Sequence, residues 1–340
     1  MARRLTRREL LTMLGGASVG LAGFACGWPR PASWDRAGQG AFVPASQGAS
    51  PAAGAEIVLT AREIQWELAP GKLVAAWAYN GQVPGPEIRV RAGERVRIVL
   101  ANELAEPTTI HWHGIDVPAA MDGVPDLSQA PVRPGERFVY EFLAEPAGTR
   151  WYHTHANSAK QLAQGLFAPF VIEPAAGTSP DREYTLVLSD WATGGRAPEP
   201  RQNRSTGRGG MMGGMMNGMM GGHRPSFDTF TINGKAFPAT RLLSVRRGER
   251  VRLHLINAGS ELTHYLRLAG HRLQVTHTDG NPLAAPVEVD VVPIAPSERY
   301  DVEFQADQPG RWPLYCVEPG HAAGGLKTLV VYEGYEDQPE

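Results

Sequence analysis

Val90-Arg91-Ala92-Gly93-Glu94-Arg95-Val96-Arg97 returns as Val245-Arg246-Arg247-Gly248-Glu249-Arg250-Val251-Arg252, an offset of 155 residues. Asn-Gly precedes each copy, at 80–81 and 233–234, and each copy runs on as an alternating strand that stops near an asparagine, Asn102 or Asn257. Further along, Pro134-Gly135-Glu136-Arg137-Phe138-Val139-Tyr140-Glu141-Phe142 is echoed by Pro296-Ser297-Glu298-Arg299-Tyr300-Asp301-Val302-Glu303-Phe304. Gly148 ahead of Arg150-Trp151 is echoed by Gly310-Arg311-Trp312. Between these blocks, short apolar and polar residues alternate and end at Pro or Gly, as half-buried strands joined by turns do. Solenoid repeats are far shorter, so this one is a duplicated domain. The reading is all-β: two tandem β-sandwiches, 55–176 and 226–336, joined by a linker at 177–225.

Composition agrees with that reading. The chain has 340 residues, room for two domains. Hydrophobic residues at 42% and charged residues at 20% favour packed cores over disorder. The 39 glycines and 28 prolines argue for many turns and against a helical bundle. With 33 basic against 35 acidic side chains, the chain lacks the basic excess of a nucleic-acid binder.

Residues 1–25 place Arg3, Arg4, Arg7 and Arg8 before an apolar stretch from Leu10 to Leu21 and end in Gly23-Phe24-Ala25. That order is a secretory signal, too short to span a bilayer, and no integral membrane span is expected. Arg7-Arg8 resembles a twin-arginine signal, which exports folded protein to the periplasm or beyond. Cleavage would remove four arginines and one glutamate, leaving a formal charge of −5. Cys26 then stands at the new terminus as a candidate lipid anchor, although Gly23-Phe24-Ala25 is a poor lipidation signal. Residues 26–54, rich in Pro, Gly, Ala and Ser, read as a flexible tether.

The chemistry begins with His111-Trp112-His113-Gly114 and Trp151-Tyr152-His153-Thr154-His155. Residues two apart on a strand project from one face, so each pair can present two imidazoles together. Neutral imidazole suits copper, zinc or iron. Two such pairs, each flanked by tryptophan, point to a metal site. The linker adds Met211, Met212, Met215, Met216, Met219, Met220 and His223, six of the nine methionines in ten residues. Soft thioethers suit Cu(I); a low-complexity linker with coincident methionine is the other reading.

The His-Trp-His-Gly motif, Met121-Asp122-Gly123-Val124-Pro125 and Trp-Tyr-His-Thr-His resemble the first domain of multicopper oxidases, especially bacterial copper-resistance oxidases and laccases. The likeness extends along most of the mature chain. It implies cupredoxin-like (plastocyanin-like) Greek-key sandwiches. It also implies that His111, His113, His153 and His155 match ligands of an oxygen-reducing type-2/type-3 copper cluster.

The second half resembles the family differently. Cys316 is followed five residues on by His321, and His264 lies 52 residues upstream. One thiolate and two imidazoles make a type-1, or blue, copper site. Leu326 falls at the family's axial position, where it cannot ligate, and losing an axial donor should raise the potential.

The four cluster ligands that the resemblance expects from the second half are replaced. Offsets of 156 and 162 place His111 and His113 on Arg267 and Ala269, and His153 and His155 on Tyr315 and Val317. Arg267 is a fixed cation and would oppose a nearby copper ion. His254 and His277 fit no part of the cluster, and His271 matches a non-ligand position expected to be structural. Three readings follow. The first is a copper-dependent oxidoreductase binding one to three coppers, taking electrons from Cu(I) or a phenol-like reductant toward the histidine-bound site and O2, in copper homeostasis. The second is a non-catalytic copper-binding, electron-transfer or copper-sequestering protein. The third is a metal-free scaffold, against which the retained histidines and Cys316 argue. The resemblance also implies a homotrimer, although the replaced positions mean assembly would not restore the missing imidazoles.

Overall fold

Residues 56–177, 179–194 and 227–336 are described by a computed structural model. The leader at 1–25, the tether, and the methionine segment with His223 lie outside the described residues. The recurring octapeptide enters two equivalent strands, β4 (Arg95–Asn102) and β12 (Arg250–Asn257). Both bury Val at their second residue and then nearly every residue from the fourth onward, while the flanking arginines face outward. A strand that begins half-solvated and ends inside a sandwich needs that order of side chains.

The duplication carries through to topology. In the first half, β2 (Lys72–Tyr79), β1 (Glu56–Ala69), β4 and β6 (Arg137–Leu143) form one sheet in that order. The facing sheet runs β3 (Ile88–Arg91), β8 (Phe167–Glu173), β7 (Gly148–His153), β5 (His111–His113). In the second half, β10 (Thr229–Ile232), β9 (Arg182–Trp191), β12 and β17 (Arg299–Gln305) repeat the first order, with β14 (Leu273–Thr278) and β15 (Asn281–Val289) added at the edge. Likewise β11 (Leu243–Val245), β19 (Lys327–Tyr332), β18 (Arg311–Cys316) and β13 (His264–Leu268) repeat the second order, with β16 (Val292–Ile294) added. Pairing sense is also copied: β1 and β4, β9 and β12, β3 and β8, β11 and β19 are the parallel neighbours. Parallel neighbours require connections that leave the sheet and return, as in Greek-key sandwiches. The all-β expectation of two such sandwiches holds. A short helix follows the same strand in each, α1 (Ser158–Ala163) after β7 and α2 (Pro319–Ala323) after β18.

One boundary differs from the sequence reading. Strand β9 lies inside the expected linker 177–225, yet it is hydrogen-bonded between β10 and β12. It is the counterpart of β1, which precedes the first copy of the repeat. The repeat blocks begin downstream of both strands, so they carried no signal for either.

Among the described residues, three apolar clusters hold the two sandwiches together. Trp112, Tyr140, Phe142, Tyr152 and Phe170 centre the first sandwich, and Leu253, Leu255, Leu266, Val302 and Leu314 the second. The third straddles the two, with Leu68, Val83, Trp151 and Phe167 against Val187, Trp191 and Ile256. Truncating one of these large side chains to Ala would cost ~3–5 kcal/mol. Beside that joint, the Thr149 hydroxyl of β7 donates to Asp301 and lies 2.7 Å from His254 Nδ1, both in the second sandwich. Arg150, 2% exposed, donates to the carbonyls of Asp279 and Gly280. The joint thus fixes β7, the strand that carries half of the first histidine set.

Candidate metal centres

Antiparallel register places the first set of histidines. β5 pairs with β7 so that His111 faces His153, Trp112 faces Tyr152 and His113 faces Trp151. Trp112 and Tyr152 point into the core, which turns the histidines to the opposite face. Donor atoms of His111, His113 and His153 all come within 4.8 Å of one another, and His113 Nδ1 lies 3.3 Å from His153 Nε2. The fourth expected member, His155, lies beyond the end of β7. Its ring is 5.3 Å from that of His111 and 6.3 Å from that of His153, beside the group of three rather than inside it. Past the strand end, the backbone no longer holds it to the period of two.

Backbone carbonyls set the tautomers. Carbonyl oxygen only accepts, so His111 Nδ1–H donates to the Asp122 carbonyl at 2.8 Å and His153 Nδ1–H to that of Thr154 at 2.8 Å. Their Nε2 atoms are then unprotonated, that of His153 facing His113 Nδ1 at 3.3 Å. The Asp122 turn depends on Gly123, at φ +74°, where a Cβ would collide with the Ile110 carbonyl. Burial, then the charges of Arg299, His111 and Arg150, push the His113 pKa down to about 3. Burial first, opposed by the Thr154 hydrogen bond, brings that of His153 down to about 3. His155 is lowered by burial and then His111. All three therefore offer neutral imidazole near pH 7, the form that ligates. Trp151 stacks on His113 and His153, with ring centroids 5.1 and 4.2 Å away.

Two cations near this set escaped the sequence reading. A Cβ on Gly114, next to His113, would sit 2.7 Å from Arg299 Nη2 and 3.2 Å from Arg150 Nη1. Arg267, the cation expected to oppose copper, lies elsewhere: it faces Tyr315 across β13 and β18 and is exposed. Ala269 and Val317 lie beyond the ends of the same two strands.

The second set joins β13, β18 and α2. Leu266 faces Cys316 across the ladder, which brings His264, at the start of β13, beside the end of β18. Gly325, at φ +114°, lets the chain turn after α2 back toward Cys316, and Leu326 N–H donates to the His321 carbonyl. His264 Nδ1 and His321 Nδ1 are 3.1 Å apart, and Cys316 Sγ is 3.5 Å from His321 Nδ1. The Tyr265 backbone N–H donates to Cys316 Sγ at 3.3 Å. His264 and Cys316 are fully buried, whereas His321 is partly exposed. Leu326, fully buried in the same core, offers only hydrocarbon. Burial works against charge on His264, but hydrogen bonds to Asp190 and Cys316 outweigh it and lift its pKa to about 9. Burial and the neighbouring His264 depress that of His321.

The donor chemistry fits copper at both places. A thiolate with two imidazoles is the set that copper electron-transfer sites use, and clustered neutral imidazoles suit copper, zinc or iron. The remaining histidines among the described residues are accounted for by structure. His271 accepts from or donates to the Tyr332 hydroxyl at 2.7 Å and donates to the Ala269 carbonyl. His254 is buried against Asp301, and His277 is 3.6 Å from the same carboxylate. Asp190, which the sequence reading missed, accepts from His264 Nε2–H at 2.9 Å with both side chains fully buried. Only an acidic residue among the buried positions of an apolar strand hinted at it.

Comparison with known proteins follows the same division. Two multicopper oxidase family models match residues 60–177 and 182–334. The chain is 32% identical to the multicopper oxidase MmcO of Mycobacterium tuberculosis, over 99% of this chain and 68% of that protein. It is 31% identical to copper resistance protein A of Pseudomonas syringae pv. tomato, over 98% of this chain and 58% of the relative. Among solved structures, a blue copper oxidase from Nitrosomonas europaea superposes with a TM-score of 0.71 at 35% identity, covering 82% of this chain and 86% of that one. The chain spans between 39% and 68% of the length of curated relatives such as these and a rice laccase. Among the described residues, no helix is long and apolar enough to cross a membrane.

Proposed function

The chain belongs to the multicopper oxidase family of copper-binding oxidoreductases, and from that premise we propose that it oxidises a small reductant, Cu(I) or a phenol, with copper held at two centres. Cys316, His264 and His321 would hold one ion, with Leu326 as a non-ligating axial neighbour. His111, His113 and His153, with His155 beside them, would hold the other. Copper, when bound, supplies a one-electron redox couple at each. The observation that carries this reading is the thiolate set, whose three donor atoms lie within 4.8 Å of one another around a buried cysteine that forms no disulfide.

The side chains divide the work. His264 and Cys316 exclude water from the inner side of their centre, and the partly exposed His321 is the side from which a donor approaches. Neutral His113 and His153 keep lone pairs available without first losing a proton, and Trp151 walls off one side of them. Arg150 and Arg299 add positive charge there, which would stabilise negative charge developing on a bound oxidant such as O2 as it is reduced. The exported leader proposed for residues 1–25 would place this chemistry outside the cytoplasm, in the periplasm. The name of the pseudomonad relative points there to a role in copper resistance, with Cu(I) as donor. Oxidase relatives weigh against the non-catalytic alternative.

The test is copper content together with oxygen uptake. The expected result is two or more coppers per chain, a blue absorption band, and oxygen consumption with Cu(I) or a phenol. Fewer than two coppers and no uptake would overturn the oxidase reading.

A further inference from the structure

We infer that Asp190 is a positioning residue for the thiolate centre, a role that rests on the copper reading above. It reaches His264 from the other sheet: Asp190 lies on β9 and His264 on β13, so the contact crosses the second sandwich. Its Oδ1 accepts Nε2–H of His264 at 2.9 Å, and neither side chain has any exposure. An imidazole that donates from Nε2 keeps the Nδ1 lone pair free. That Nδ1 is the atom 3.1 Å from His321 Nδ1, on the side where Cys316 lies. One hydrogen bond thus fixes both the tautomer and the ring orientation in which His264 can ligate.

Fold stability does not account for this arrangement. Asp190 Oδ2 is buried with no hydrogen-bond partner, which costs free energy at a position where an apolar residue would fit the strand. A lone buried ion pair is weak evidence for stability, because desolvation offsets its attraction. The surroundings nevertheless keep room for the carboxylate. A Cβ on Gly259 would collide with Oδ2, and Gly259 N–H is held by Asn257 Oδ1 at 2.9 Å. Across the β9–β10 ladder, Asp190 faces Phe230, whose ring lies 4.5 Å from that of His321 and 6.1 Å from that of His264. The same strand pair therefore supplies an apolar wall for both imidazoles and a carboxylate for one of them. Carboxylate on the far nitrogen also makes the imidazole a stronger donor, which favours Cu(II) and lowers the potential. This opposes the effect of the missing axial ligand at Leu326.

The experiment compares wild type with Asp190→Ala and Asp190→Asn, using the full chain. In copper-free protein, nitrogen-15 spectra of labelled histidine report the His264 tautomer. At a pH well above 9, where His264 is neutral, wild type should show a single Nε2–H form, and Asp190→Ala a mixture. On titration with copper, Asp190→Ala should bind about 10- to 100-fold more weakly at the blue centre. Asp190→Asn keeps an oxygen acceptor but no charge, so it should bind within a few-fold of wild type at a raised reduction potential. Circular dichroism identifies any variant that fails to fold, and Asp190→Asn, nearly isosteric, keeps the question open to test if Asp190→Ala does not. Unchanged tautomer, affinity and potential in folded variants would overturn the inference. A wild type that takes up no thiolate-bound copper would overturn the underlying copper reading instead, while the tautomer measurement still decides whether Asp190 orients the ring.

Discussion

His254→Gln probes the joint between the sandwiches through its charge. His254 is fully buried, with Nδ1 3.0 Å from Asp301 Oδ1 and Nε2 3.7 Å from Glu183 Oε2. Thr149 from the first sandwich touches it, His277 shares Asp301, and Arg252 pairs with Glu183 nearby. Burial disfavours its charge, but Asp301 and Glu183 outweigh that and raise its pKa from 6.5 to about 9. A rise of that size corresponds to ~3 kcal/mol of stability. Because the folded value lies above the unfolded one, the stabilisation is complete below about pH 6.5 and is lost as pH rises through about 9. The stability gap between wild type and His254→Gln should therefore shrink by ~3 kcal/mol between about pH 6 and pH 10. At roughly 2 °C per kcal/mol for a chain this long, that is about 6 °C in melting temperature. Copper-free protein, unfolded by heat and by urea at each pH, supplies the data. Taking the difference between the two proteins cancels His264, which titrates in the same range. A gap that stays constant or widens with pH would refute a cationic His254.

Cys316→Ser should abolish the blue band and remove one copper per chain while leaving the histidine set loaded, as read by absorption and metal analysis; surviving blue colour would assign the thiolate elsewhere. His153→Ala should keep the blue band but lower copper content and cut oxygen uptake by at least about tenfold, since a buried member of the triad is lost. Leu326→Met, a swap costing under about 1.5 kcal/mol in a packed core, should lower the potential of the blue centre in a redox titration by offering an axial thioether. Gly123→Ala should destabilise the protein by at least about 1 kcal/mol and weaken copper binding at His111, because the methyl collides with the Ile110 carbonyl and displaces the Asp122 turn.

The duplicated sandwich was legible in the sequence because β-structure writes itself locally. Alternation along β4 and β12, with turns at Gly93 and Gly248, needs no knowledge of the partner strands. The paired histidines of β5 and β7 were legible for the same reason: a period of two places each pair on one face whatever surrounds it. Strand β9 was not, because its role comes from pairing with β12, where partner residues lie 69 apart in the chain, rather than from its own pattern. Tertiary structure alone decided the rest of the sites. It moved Arg267 to an exposed face and brought Arg150 and Arg299 to the first histidine set instead. It left His155 outside the triad, where the strand's regular spacing ends. It also carried Asp190 across a sandwich to His264, 74 residues away in sequence. Contacts between strands of different sheets depend on which faces the cores bury together, and no spacing along the chain encodes that distance.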